Sequence, residues 1–291
     1  LSTVPFEYLR DLLNAEVLRQ AAPDLGFRLT DEDIDGVIKS QFYPSVPERQ
    51  ESDPGQLDQE FQNNYQIFLA RTGLADADFR VIVQEQIALQ QLGLMLGRTI
   101  PETTEQVEVE WIRTEIEGRI DVGAVRARLG TEKTGGGEDF IKVAGEVGVP
   151  AGFADRTGYV GWVPKGAFPE LDGALFGDEE RDIPPLEVGE ISGPIFTQNG
   201  IYIVRLLTGP TDRDFSNQMR NKLNVELVTK WQTDEQTRGA NAGWLRMNFN
   251  SKWYAWVADQ VRMSATRGDS GQQGAPGQGA PGGQGFPGGP R

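Results

Sequence analysis

The chain has 291 residues, enough for about two domains of ordinary size, and it contains no cysteine and no histidine. Those two absences exclude disulfides, thiolate nucleophiles, Cys/His zinc sites and every catalytic triad that needs an imidazole. With 43 acidic against 28 basic residues and a net charge of −15, the chain is not expected to bind nucleic acid, whose phosphates need clustered Lys and Arg.

What remains for proton chemistry is carboxylates, Lys and Tyr, and no cofactor or metal site is implied. No run of 18 apolar residues occurs, so no membrane span is expected. The chain starts at Leu1 rather than Met, which suggests a leader or anchor removed upstream.

From Pro5 to Leu96 the sequence reads as helix. Phe6, Leu9, Leu12, Leu13, Val17 and Leu18 recur at spacings of three and four, an apolar stripe on one face. Thr30 with Asp33 resembles a capping box, and Ile34, Val37 and Ile38 supply the buried face behind it. The segment from Tyr43 to Pro47 breaks this helix, Ser52 to Gly55 reads as a loop, and two further helices are expected over Leu57–Thr72 and Asp76–Gly97.

At Ile100-Pro101 the character changes. Val107, Val109 and Trp111 alternate with Glu108 and Glu110, a strand pattern. A short helix is expected around Glu138–Val147, and further strands over Tyr159–Val163 and Gly200–Leu207. After Thr211 the helical period returns, with Phe215, Met219, Leu223, Leu227 and Trp231 four apart. The Trp- and Tyr-rich stretch from Trp244 to Val257 reads as apolar material packed against the helical part.

From Gly268 the composition shifts again. Ten of the 36 glycines lie in 268–291, at period three with one residue missing. Pro276, Pro281, Pro287 and Pro290 take the third place of their triplets, as in collagen-type chains. The residues expected to carry self-association are Gly274, Pro276, Gly279, Pro281, Gly285, Phe286, Pro287 and Pro290, either by winding three tails together or by threading one tail along a neighbour.

Three stretches of the middle block resemble the parvulin family of peptidyl-prolyl isomerases. Glu138-Asp139-Phe140-Ile141-Lys142-Val143-Ala144 resembles its helix. Gly158-Tyr159-Val160-Gly161-Trp162-Val163-Pro164-Lys165-Gly166 resembles its glycine-rich segment. Leu186 to Ile203, with Gly189-Glu190-Ile191-Ser192, Pro194, Thr197 and Gly200, resembles its closing strand pair. The flanking helices resemble the chaperone segments of extracytoplasmic foldases of the SurA and PrsA type. The expected fold is α+β, a helical body with an inserted small parvulin-like domain and an extended tail. Its segments are 1–105, 106–211, 212–263 and 264–291.

The resemblance implies a proline pocket at Val160, Phe168, Leu171 and Thr197. It also shows departures: the family's two histidines fall at Trp111 and Tyr202, and its usual Cys or Asp falls at Val149-Pro150. With those groups missing, the leading expectation is a catalytically weak or inactive, self-assembling structural subunit outside the cytoplasm, bound to copies of itself. The alternative is an active isomerase and chaperone of unfolded, proline-containing secreted chains.

Other motifs read as ordinary surface. Arg267-Gly268-Asp269 matches an adhesion tripeptide at the junction where the triplets begin. The acidic runs at Asp31-Glu32-Asp33 and Asp178-Glu179-Glu180 lack calcium-loop spacing, and the glycines at 135–137 lack a phosphate-loop lysine.

Overall fold

Antiparallel pairing of two long strands organises the middle of the chain. The structure, a computed structural model, describes residues 4–44, 53–116, 120–130, 137–149, 152–246 and 251–270. Strands β1 (Thr103–Thr114), β2 (Tyr159–Pro164), β3 (Ile195–Thr197) and β4 (Gly200–Asp214) form one sheet, in the order β2-β1-β4-β3. Every pairing in it is antiparallel.

Because successive side chains on a strand face opposite ways, β1 and β4 each supply two cores. Val107, Val109 and Trp111 with Tyr202, Val204 and Leu206 pack on one face, against Leu171 and Leu175 of helix α7 (Pro169–Phe176) and Met219 of α8 (Asn217–Ala242). Ile112 with Ile201 and Ile203 packs on the other, against α5 (Val122–Arg128) and α6 (Phe140–Val147). On this second face Glu110 pairs across the strands with Arg205, and the Arg205 guanidinium lies 4.9 Å from the Phe140 ring centre.

Helices α2 (Asp31–Phe42), α3 (Pro54–Thr72) and α4 (Asp76–Gly97) build a separate core from Ile34, Ile38, Tyr65, Leu69, Phe79 and Val83. The capping box at Thr30 and Asp33 is formed in both directions. Helix α3 starts earlier than the expected Leu57. Asp53 accepts a hydrogen bond from the Gly55 amide at 3.0 Å and Pro54 takes the first turn, so residues 53–55, read as part of a loop, are a helix start.

Other differences from expectation have equally local reasons. Strand β4 runs on past Leu207 because β1 reaches back to pair Thr103 with Asp214. Helices α5 and α7 have only seven and eight residues, too short to show a helical period in sequence.

Two compact units divide the chain, one from 21–235 and one from 1–20 with 236–291, a grouping that cuts across the segments drawn from composition. In the second unit α1 (Val4–Ala21) buries Val17 and Leu18 but leaves Leu12 of the expected stripe 69% exposed. Gln236 donates to Asn14 at 2.6 Å. Helix α9 (Ser251–Ser270) carries Trp253 and Trp256, which meet edge to face at 6.4 Å. They are 62% and 56% exposed, not buried as their apolar stretch suggested.

Helix α9 also runs through Gly268, so the first glycine of the triplet series is helical. The expected assembly residues Gly274, Pro276, Gly279, Pro281, Gly285, Phe286, Pro287 and Pro290 lie outside the described residues, as do Pro150 and the glycines at 135 and 136. Among the described residues no helix is long and apolar enough to cross a membrane.

Phe140 is 1% exposed and joins α6 to the sheet. Phe140→Ala is expected to destabilise the 21–235 unit by about 3–5 kcal/mol, read as a lower urea midpoint. An unchanged midpoint would show that this core does not hold the sheet.

Candidate functional site

On the α7 face the strands place particular side chains opposite one another. Arg113 of β1 is in register with Tyr202 of β4, and Trp111 with Val204. Trp111 and Tyr202, the residues at the expected histidine positions, are 2% and 8% exposed.

Their rings meet edge to face at 5.4 Å and 88°. Phe168 meets Trp111 at 5.1 Å and 78°, and Phe153 meets Phe168 at 5.1 Å and 89°. Such T-shaped contacts set the positive edge of one ring against the negative face of the next. The Phe153, Phe168 and Tyr202 rings form an aromatic floor with Trp111 beneath it. The Trp111 indole N–H is buried and finds no acceptor among the described residues, which costs about 1–3 kcal/mol.

Above this floor lies an open cavity of about 630 Å³, a size suited to a few side chains of a bound segment. Phe168, Leu171, Thr197 and Tyr202 line it, together with Phe153, Arg113 and Glu170. Val160 and Trp111, also named from the sequence, do not line it. Val160 is half-buried against the same core, and Trp111 lies beneath the ring cluster.

The sequence reading missed three contributions: Arg113, Phe153 and the wall made by α8. Lys222, Glu226 and Thr229 of α8 line the cavity, with the Lys222 ammonium bonded to Glu226 and 5.1 Å from the Phe168 ring centre. The aromatic and charged residue types were visible in the sequence. What brings α8 across the strand face is tertiary.

A small relay holds the rim. The Thr197 hydroxyl donates to the Gly200 carbonyl at 2.9 Å and accepts from the Asn199 amide at 3.1 Å, closing the β3–β4 turn. That turn presents the Asn199 carbonyl to Arg113, which donates from Nε at 2.7 Å and again from Nη2.

Gly200, with φ at +143°, is required there: a Cβ would stand 2.6 Å from the Thr114 carbonyl oxygen. Gly158, with φ at +84°, is held equally tightly, since its Cβ would lie 2.7 Å from the carbonyl oxygen of Trp111.

Burial raises the Tyr202 hydroxyl above its usual range, partly offset by Arg113. Asp172 on α7 accepts from the Gly166 amide at 2.9 Å, and burial pushes its carboxyl up to about 6. Among the described residues no group of three or more acidic side chains is arranged to hold a metal.

No family model matches the chain. The foldase protein PrsA of Geobacillus kaustophilus is 25% identical over 226 residues, covering 75% of this chain and 67% of that protein. Among solved structures, the peptidylprolyl isomerase PrsA of Bacillus anthracis has a TM-score of 0.46 at 18% identity, covering 83% of this chain and all of that one. PrsA of Streptococcus pneumoniae has a TM-score of 0.38 at 16% identity, covering 85% and 87%.

Asp172 makes stability depend on pH. Its folded value lies above its ordinary 3.8, so the folded chain retains a proton that the unfolded chain releases. The resulting penalty is absent below about pH 4, grows up to about pH 6 and stays constant beyond. Compared with Asp172→Asn, the unmodified chain is expected to lose urea resistance between pH 4 and 6. A difference that stays constant across that range would show that Asp172 titrates normally.

The matched relative, together with the glycine-rich and closing segments around the groove, makes this chain a homologue of the PrsA-type foldases, with a parvulin-like domain set between helical segments.

Proposed function

We propose that the chain is an extracytoplasmic foldase that binds unfolded, proline-containing polypeptide in this groove and accelerates rotation about its X–Pro bonds. One observation carries the reading: an open cavity of about 630 Å³ over an aromatic floor of Phe153, Phe168 and Tyr202.

Rotation about an X–Pro bond breaks amide resonance, at a barrier of about 18–20 kcal/mol. The twisted amide is less dipolar than the planar one, so a surface that strips water from it favours the twisted form without acid, base or metal. Phe168, Leu171 and Tyr202 supply such a surface to a proline ring. Arg113, fixed by the Asn199 carbonyl, supplies N–H donors at its edge.

The resemblance to extracytoplasmic foldases supports a location outside the cytoplasm. The relative's description as a foldase supports binding of unfolded chains. Self-assembly through the Gly-X-Pro tail rests on its period-three glycines alone, and the foldase reading stands ahead of it.

The test is exchange NMR on a short Ala-Phe-Pro peptide. Catalytic amounts of the protein are expected to produce cis–trans exchange peaks, and Phe168→Ala to weaken them roughly tenfold, as loss of about 1–1.5 kcal/mol of aromatic contact implies. With folding confirmed, no exchange and no peptide-induced shift at groove residues would rule the reading out.

A further inference from the structure

The aromatic cavity does not stand alone. A second cavity of about 390 Å³ adjoins it at Arg113, and a third of about 680 Å³ adjoins it at Pro169 and Glu170. Linked through these shared lining residues, the three cavities make a series with the aromatic one in the middle, a track whose two ends carry opposite charge.

At one end stand Arg113 and Arg156 with a single carboxylate, Asp155. That carboxylate is committed to its own turn, accepting from the Thr157 amide at 2.7 Å, the Thr157 hydroxyl at 2.5 Å and the Tyr159 amide at 3.1 Å. Arg113 makes no ion pair among the described residues. Its anchor is a neutral carbonyl, so the guanidinium is held in place without a bonded carboxylate. A guanidinium fixed in advance binds a carboxylate at a smaller entropic cost than a free one.

At the other end five carboxylates, those of Glu170, Asp172, Asp178, Glu179 and Glu180, face two cations, Lys165 and Arg181. Arg181 is taken up by Asp178 at 3.5 Å. Glu179 and Glu180 are exposed and make no ion pair among the described residues.

We propose that this track selects proline-containing segments by charge. It takes an acidic residue on one side of the proline at Arg113 and a basic residue on the other side at Glu179 and Glu180. The inference rests on the reading of the groove as a polypeptide site and adds a specificity to it. Exposed charge pairs are worth little singly, so the selection is graded and fails at high salt.

The test uses the full chain and three peptides: Asp-Ala-Phe-Pro-Ala-Lys, its charge-reversed form Lys-Ala-Phe-Pro-Ala-Asp, and neutral Gln-Ala-Phe-Pro-Ala-Gln, all with blocked ends. One of the two charged orders is expected to bind roughly two- to tenfold tighter than the neutral peptide at low salt, as two partly exposed pairs imply. The advantage is expected to shrink in 0.5 M salt.

Arg113→Gln and the double variant Glu179→Gln/Glu180→Gln are each expected to move the charged-to-neutral affinity ratio towards one, with Arg113→Lys restoring part of it. If Arg113→Gln does not fold, the exposed double variant decides alone. Equal affinity for all three peptides, or equal gains for both charge orders, overturns the selection while leaving the groove reading intact. Failure of all three to bind overturns both.

Discussion

The pairing of β1 with β4 is the constraint on which the rest depends. Alternation along two hydrogen-bonded strands decides which residues enter which core, and a slip of one residue would exchange the two faces. With the register as it stands, Arg113 lies opposite Tyr202 at the groove, and Glu110 lies opposite Arg205 under α6. The same register puts Trp111 beneath Phe168. The groove is thus a by-product of strand parity, finished by a short helix and one face of α8.

An aromatic floor differs in kind from a histidine network. A histidine network orients a substrate through hydrogen bonds that depend on protonation. Edge-to-face rings can act only through shape and desolvation, and nothing in that floor titrates near neutrality. The charged groups sit at the margins instead, on α7, α8 and the strand ends.

Much of this was legible beforehand, for identifiable reasons. The capping box at Thr30, the alternation at Val107, Val109 and Trp111, and the four-residue spacing of Met219 and Leu223 are local signals, and each marks a real element. Phe168, Leu171, Thr197 and Tyr202 gather at one cavity. Val160 does not, because it turns into the core beside it. The contribution of Arg113 was not legible, since its role depends on a carbonyl contributed by a turn 86 residues away. Nor was the exposure of Trp253 and Trp256: composition predicts burial for such rings, and only three-dimensional placement decides it.

The strand ends carry one more consequence. Thr103 and Asp214, the first and last residues of the sheet, are paired neighbours, and Gln106 ties the two strands by donating to the Arg213 carbonyl at 2.8 Å. The polypeptide therefore leaves the helices and returns to them at almost the same point. A module whose ends meet in this way can be gained, lost or exchanged between helical hosts without changing the distance those hosts must span.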